Sequence, residues 1–254
     1  MTRLTLPPWL VFALSFLVMT LAAWIGARLS RRRLVQAEAR DDFGIILAAT
    51  LTLLGLVIGF SFSMALSRYD QRKNYEEAEA NAIGTAYVRA DLLPTTDAAN
   101  IRALLLRYLE QRILFYATRD EQQLRQIEVH TGTLQAAMWA AVRVPALAEP
   151  TPVAALAVAG MNDVLNAQGY TQAAWWNRIP LGAWVLMAII ALAANALLGL
   201  GARNARVESL LFLVLPFVVA IAFFFIADID SPRSGVIRVV PQNLLSLSQA
   251  LRSP

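Results

Sequence analysis

Three glutamates, Glu76, Glu77 and Glu79, form the densest group of carboxylates in this chain of 254 residues. Neighbouring carboxylates can divide the roles of general acid and general base between them. Such a run is more often the solvated face of a helix, and we favour that interpretation. The chain has one histidine, His130, and no cysteine, which excludes a multi-histidine metal site, a thiolate nucleophile and a disulfide. Since phosphate-binding, nucleophile-elbow and zinc-protease motifs are also missing, the sequence predicts no enzyme, metal site or other cofactor.

A second set of charged residues lies at the ends of apolar segments. Arg68, Arg72 and Lys73 follow one apolar run. Asp228 and Asp230 close another. Ionisable groups within or beside a bilayer span usually pair with each other or line a polar path. We therefore expect Arg68 to pair with Asp228 across two helices. The alternative is that Arg72 pairs with Asp230.

The composition indicates a protein of the lipid bilayer. Hydrophobic residues make up 57% of the chain and charged residues 16%, whereas soluble domains carry roughly 25% charged residues. The net charge of +4 does not predict a nucleic-acid partner, because arginines beside membrane helices explain a basic balance.

Four apolar segments are each close to the roughly 20 residues that a helix needs to cross the hydrocarbon core. Signals for β-strands are almost absent. The sequence therefore predicts an all-α integral membrane protein, with four transmembrane helices and a helical bundle inserted between the second and third. The predicted spans are residues 9–27, 43–66, 181–200 and 210–227.

The predicted organisation has four parts, in which two membrane hairpins enclose an extramembrane helical domain and a tail follows. The helix of the second span is expected to continue to about Leu92, because no breaker precedes Pro94, with a kink at Gly84. In the helices that follow, apolar residues recur every three or four positions, as in a packed bundle. The four parts are residues 1–66 (hairpin), 67–180 (helical domain), 181–230 (hairpin) and 231–254 (tail).

Within the second span a small residue recurs at every fourth position. These residues are Gly55, Gly59, Ser63 and Ser67. The spacing places all four on one side of the helix, where a second backbone can approach closely. It therefore predicts that this side packs against another helix.

The segment from Gly59 to Tyr69 reads GFSFSMALSRY and resembles the second-span signature of the bestrophins. In that signature a Gly-Phe pair is followed by hydroxyl residues at the same spacing and by Thr-Arg-Trp. The segments from Asp228 to Gly235 and from Asn243 to Leu247 are similar to two later bestrophin segments. Longer phrases between Arg68 and Pro94 are similar to an uncharacterised bacterial family of bestrophin-like domain membrane proteins, and that resemblance covers about residues 43–250.

The resemblance implies a homo-oligomeric ion channel, with five copies, whose pore is lined by the second span. Carried over by position, the hydrophobic neck of the bestrophin pore falls on Thr52, Leu56 and Phe60. Leu56 and Phe60 each lie about 100° around the helix from the small residue that precedes them, so one side can face a pore while the other packs on a neighbour. A ring of such side chains can close a pore by excluding water. Alternatively, Leu56 and Phe60 are ordinary apolar side chains that face lipid or a protein core.

The resemblance also places the helical domain in the cytoplasm and the chain in the plasma (inner) membrane of a bacterium, as a multi-pass protein. The distribution of basic residues does not decide the orientation. The arginines of the two short loops between spans are nearly balanced by those of the tails and of the opposite membrane face.

Two classes of function remain. The first is an ion channel in which Arg68, Arg72 and Lys73 gather anions at the inner mouth, although the same residues serve equally well as interfacial flanks. The second is a non-conducting membrane sensor or scaffold whose helical domain binds a ligand or partner. Ion flux through the purified protein distinguishes the two.

Overall fold

The computed structural model describes residues 7–30, 39–201 and 211–252. Within these ranges the chain consists of helices with short connections and contains no β-strand, which confirms the all-α prediction. A short 3-10 helix, Ala90–Leu92, separates the second and third α-helices. The α-helices are α1 (Pro8–Ser30), α2 (Ala39–Arg89), α3 (Thr95–Ala117), α4 (Glu121–Ala148), α5 (Pro152–Trp176), α6 (Leu181–Leu200), α7 (Leu211–Asp230) and α8 (Gln242–Arg252).

Four helical segments are long and apolar enough to cross a membrane, as predicted. The helix predicted over residues 181–200 has the bounds of α6, and α1 extends slightly beyond the predicted first span at both ends. Leu210, the predicted first residue of the fourth span, lies outside the described residues. The segments are Pro8–Ser30, Phe43–Leu92, Pro152–Leu200 and Phe212–Asp230.

The chain divides into two compact units. The first unit contains α1, α2 as far as Arg68, and the segment Arg178–Ile237 with α6 and α7. The second unit contains Tyr69–Asn177, with the rest of α2 and helices α3 to α5, and also the segment from Arg238 onward with α8. Most of the residues predicted as a separate tail therefore belong to the second unit.

In the first unit α1 packs against both α6 and α7. A Cβ added at Gly26 would overlap the carbonyl oxygen of Ala196, and one added at Gly199 would overlap the carbonyl oxygen of Ala23. Glycine at both places lets the backbones of α1 and α6 touch, which is the usual way that helices pack closely within a membrane.

The core of the second unit is formed by the apolar stripes that the sequence predicts. On α4 the buried residues include Ile127, Met138 and Val142, spaced to lie on one side of the helix. The side chain of Asp120 begins α4 by accepting a hydrogen bond from the backbone N–H of Gln122 at 2.9 Å, as helix caps do. The stripe on α3 includes the buried residues Ile101, Leu105, Tyr108, Leu109 and Tyr116.

Helix α8 packs into this core through Leu244, which is fully buried. A Cβ added at Gly84 would lie 3.2 Å from the Leu247 side chain, so glycine on α2 leaves room for α8. One continuous α-helix runs from Ala39 to Arg89, and the expected kink at Gly84 stays a prediction.

Candidate functional site

The membrane-crossing part of α2 makes few contacts within the chain. In its most apolar window of 18 residues, 6% of the residues are buried, against 44% in the corresponding window of α7. Between residues 43 and 67 the buried side chains are those of Leu54, Ser61 and Ala65. These three positions lie within about 40° of one another around the helix; half-buried residues flank them, and the opposite side of the helix is exposed.

The residues assigned to the pore by resemblance lie on that exposed part. The side chain of Phe60 is 65% exposed and that of Leu56 is 53% exposed. Thr52 is also exposed, and its hydroxyl donates a hydrogen bond to the carbonyl oxygen of Ala48 at 2.9 Å. The three lie within about 80° around α2, so they form one continuous strip on a single chain.

The small residues of α2 are exposed as well. Gly55, Gly59, Ser63 and Ser67 all lie at the surface of the chain. A Cβ added at either glycine would have no atom within 4 Å, other than those of its own helix nearby. Packing on this side therefore requires a second copy or another partner, and it stays a prediction.

The charges at the membrane face are paired differently from the prediction. Arg68 lies 3.8 Å from a carboxylate oxygen of Asp230, which also accepts a hydrogen bond from the backbone N–H of Ile179 at 3.0 Å. The carboxylate of Asp228 instead accepts hydrogen bonds from the backbone N–H groups of Val236 and Ile237, at 2.7 and 2.8 Å. The structure thus places Arg68 beside Asp230, whereas the expected partner Asp228 binds the turn after α7.

The other two basic residues of this set differ in exposure. The side chain of Arg72 is only 2% exposed and belongs to the interior of the second unit. Lys73, the next residue, is exposed. These two adjacent positive charges therefore differ: that of Arg72 is buried and that of Lys73 is exposed.

The glutamate run is also divided, although we interpreted it as a solvated face. Glu77 is exposed, whereas Glu76 and Glu79 are buried. Glu79 is paired with Arg112 of α3 through two guanidinium nitrogens, one of them at 3.3 Å. The hydroxyl of Thr171 in α5 donates a further hydrogen bond to Glu79 at 3.1 Å. Glu79 therefore ties three helices of the second unit together.

Glu76 holds the start of α8. Its carboxylate accepts hydrogen bonds from the backbone N–H of Leu244 at 2.9 Å and from the side-chain amide of Asn243 at 2.7 Å. A carboxylate in this position satisfies backbone donors that the first turn of a helix leaves unpaired. Glu76 of α2 thus caps the first turn of α8.

A periodic signal for these buried charges is present in the sequence. Buried residues on the second half of α2 recur at intervals of four and three, the spacing of a bundle interior. The signal is hidden because half of those positions are charged. The positions with this spacing are Arg72, Glu76, Glu79, Ile83 and Ala86 on α2 and Ala90 directly after it; Ala80 is buried as well.

The surroundings of the Glu79 pair are aromatic. Burial by itself lowers the pKa of Arg112, but the attraction of Glu79 outweighs it and the pKa of Arg112 is raised. The guanidinium lies over the ring of Phe115, 4.4 Å from its centre. Burial, and then the negative charge of Glu79, raise the pKa values of Tyr108 and Tyr116 above their ordinary range. The ion pair and the neutral tyrosines together form a structural core.

Over the part of the chain that the structure describes, no three carboxylate, imidazole or thiol side chains come together closely enough to hold a metal ion.

Comparison with known proteins identifies the family. The sequence matches the family model of the Bestrophin-like domain over residues 7–244. No curated protein matches it. A solved bacterial bestrophin homologue from Klebsiella pneumoniae aligns with a TM-score of 0.62 at 14% identity, covering 96% of this chain and 99% of its own. A single-substitution variant from the same organism aligns with a TM-score of 0.64 at 13% identity, covering 96% and 97%.

A third structure, described as a membrane protein, aligns with a TM-score of 0.64 at 13% identity and covers 94% of this chain and 98% of its own. At these identities the likeness shows the fold, an all-α membrane architecture. Family and fold together support a channel of the bestrophin type, at the level of the family. The resemblance drawn from the α2 signature is confirmed: the chain belongs to the Bestrophin-like domain family.

Proposed function

We propose that this protein is an oligomeric ion channel whose pore is lined by the exposed side of α2. The observation that carries the proposal is the exposure of this apolar helix on the single chain, with Leu56 and Phe60 more than half exposed. An adjacent strip of the exposed surface carries two glycines and two serines at four-residue spacing. Hydroxyls and bare backbone gain little from contact with lipid, whereas they suit a helix contact or a polar path.

The two strips of α2 suit different neighbours in a symmetric assembly. Gly55 and Gly59 leave room for a helix of an adjacent copy, since closed rings repeat one contact around an axis. The strip of Thr52, Leu56 and Phe60 then faces the axis, where it forms rings. Rings of apolar side chains gate a pore by excluding water. The number of copies that we propose, five, comes from the resemblance to bestrophins.

We further propose that the chain lies in the inner membrane of a bacterium with the second unit in the cytoplasm. The multi-pass part follows from the four apolar helices, and the cytoplasmic side comes from the resemblance to bestrophins. A reporter active only in the periplasm and fused after Pro254 tests the orientation. With four spans the reporter should be silent, and an active reporter would reverse the assignment.

Flux from liposomes containing the purified protein tests the pore. Phe60→Ala is expected to increase flux about tenfold, which corresponds to a barrier lowered by about 1.4 kcal/mol. Phe62→Ala is the matched control, because Phe62 is also exposed but points about 160° away around the helix. It should leave flux at the wild-type level.

The outcomes separate the candidate functions. Absence of flux from the wild type and from both variants would favour the sensor or scaffold. Equal flux from wild type and Phe60→Ala would reject this side of α2 as the pore wall. A protein that is monomeric or dimeric in detergent would contradict a bestrophin-type assembly.

A further inference from the structure

We propose that the turn after α7, residues 231–237, is a lipid-binding segment whose side chains Val236 and Ile237 insert into the bilayer beside the end of this helix. The partner is the phospholipid bilayer itself, at the level where the acyl chains meet the headgroups. The inference goes beyond the proposed function, because it needs α7 to cross the membrane and does not need ions to flow.

The turn folds back along the last residues of α7. The backbone nitrogen of Val236 lies 2.7 Å from a carboxylate oxygen of Asp228. Asp228 precedes the end of α7 at Asp230 by two residues, which is about 3 Å along the helix axis. The 20 residues of α7 span about 30 Å, the thickness of the hydrocarbon core. The turn therefore holds Val236 close to the boundary of that core.

The exposed apolar surface at this level belongs to the turn. The side chain of Val236 is 81% exposed, and Ile237 is exposed as well. The last five residues of α7, 226–230, are all buried, whereas Phe217 and Val218 in the middle of the helix are exposed. The turn thus continues, at the end of α7, the exposed apolar surface that the helix itself presents further in. Apolar side chains at this level of a bilayer gain free energy by contact with lipid.

The hydrogen bonds of the turn suit an apolar environment. Irregular backbone is tolerated at the edge of hydrocarbon only where its polar groups are paired. The backbone N–H of Gly235 donates to the carbonyl oxygen of Ser231 at 3.3 Å. The next two N–H groups, those of Val236 and Ile237, donate to the Asp228 carboxylate at 2.7 and 2.8 Å. Three consecutive backbone donors are therefore paired within the first unit.

Basic residues flank the turn. Arg233 belongs to it, and Arg178 directly precedes Ile179, whose backbone N–H donates to Asp230 at 3.0 Å. Both arginines are half-buried. Arginines at the ends of membrane helices keep their apolar stems beside the hydrocarbon and their guanidinium groups at the level of the phosphates. The charges near the turn therefore fit a lipid surface.

The test uses cysteine, which the natural chain lacks, so that one introduced thiol carries the only label. Val236→Cys is labelled with an environment-sensitive fluorophore in the full-length protein. The protein is reconstituted in phosphatidylcholine vesicles that carry bromine either near the headgroup or near the chain ends. Bromine near the headgroup is expected to quench this label more strongly. Val218→Cys, at an exposed position within α7, should show the reverse order. Val129→Cys, exposed on α4, should be quenched by neither lipid.

A label at position 236 with equal emission in brominated and unbrominated vesicles would overturn the inference. Its emission wavelength would then identify what replaces lipid. Emission at the wavelength of the Val129→Cys label would place the side chain in water. Emission at shorter wavelength without quenching would place it against a second copy of the chain.

Asp228→Ala, combined with the labelled Val236→Cys, tests how the turn is held. Without the carboxylate the two N–H groups lose their acceptor, so the turn should leave the bilayer. The label should then lose its quenching and emit at longer wavelength. Asp70→Ala, at an exposed position on α2, is the matched control and should preserve both readings. Unchanged quenching in the Asp228 variant would contradict the role of that carboxylate. If this variant does not fold, the quenching order of Val236→Cys alone decides the inference.

Discussion

Gly235 lies so close to Asp228 that a Cβ at position 235 would overlap the carbonyl oxygen of Asp228 and lie 3.1 Å from its carboxylate carbon. The two residues frame the turn in which the Asp228 carboxylate binds the backbone of Val236 and Ile237. The φ angle of Gly235 is not positive, so the requirement for glycine comes from space and not from backbone conformation.

Gly235→Ala is expected to destabilise the protein by about 2 kcal/mol or more, at the upper part of the range for single substitutions. The added methyl group forces the turn away from α7 and weakens both hydrogen bonds to Asp228. Thermal unfolding in detergent measures the effect. Gly182→Ala is the control, because a Cβ there meets nothing within 4 Å. Equal melting temperatures for the two variants would contradict this account of the turn.

The close contact between α1 and α6 is expected to be sensitive to an added methyl group. Gly199→Ala should lower the stability of the single chain by about 2 kcal/mol or more, because the methyl group overlaps the backbone of Ala23. Gly59→Ala should change single-chain stability by less than about 0.5 kcal/mol and should instead shift the assembly toward smaller species. Thermal unfolding and light scattering in detergent measure the two effects. If Gly59→Ala lowered the melting temperature but left the size of the assembly unchanged, the assignment of that side to a second copy would be rejected.

Removal of the Glu76 carboxylate is expected to loosen α8. Glu76→Ala leaves the backbone N–H of Leu244 without its partner, at a cost of about 1–3 kcal/mol. Amide hydrogens of α8 should then exchange about 5- to 150-fold faster with deuterium. Glu77→Ala is the control, since Glu77 is the exposed neighbour on the same helix. Unchanged exchange in Glu76→Ala would show that the apolar contacts of α8 suffice.

Stability is expected to fall steeply in alkaline solution because of Tyr108 and Tyr116. Burial raises the pKa of each from the ordinary value of 10.0, so the folded state keeps protons that the unfolded state releases. The stabilisation is complete below about pH 10 and is lost above it, by about 1.4 kcal/mol per pH unit for each tyrosine.

Melting temperatures between pH 9 and 12 test this dependence. The double variant Tyr108→Phe and Tyr116→Phe should show a shallower decline than the wild type. Tyr170→Phe, which changes a ring that is 59% exposed, should follow the wild type. A double variant with the wild-type slope would place the alkaline sensitivity elsewhere.

The sequence allowed the spans and the helical stripes to be predicted, because long apolar runs and a three-to-four period are local properties. The bounds of α6 were predicted to the residue for that reason. The partners of charged residues were not predictable in the same way. Glu79 is paired with Arg112, 33 residues away, and with Thr171, 92 residues away. Spacing within one helix contains no information about such distant partners.

Small residues show the same limit. The four-residue spacing of Gly55 and Gly59 drew attention to α2, whereas the backbone contact within the chain joins α1 and α6 at Gly26 and Gly199. Neither Gly26 nor Gly199 has a second glycine four residues away, so the glycine spacing that marks Gly55 and Gly59 is absent there. A small-residue pattern indicates that close approach is possible, and only the tertiary structure identifies the partner.

The packing of α1 against α6 and α7 fixes an order of events during synthesis. α1 ends at Ser30 and α6 begins at Leu181, so a ribosome adding about 5–20 residues per second needs about 8 to 30 s to supply the first of these partners. Throughout that interval α1 must remain in the bilayer on its own apolarity, as the two-stage view of membrane folding requires. Insertion of the first helix and its final packing are therefore separate events, and the newly made N-terminal segment depends on the last third of the chain to complete its fold.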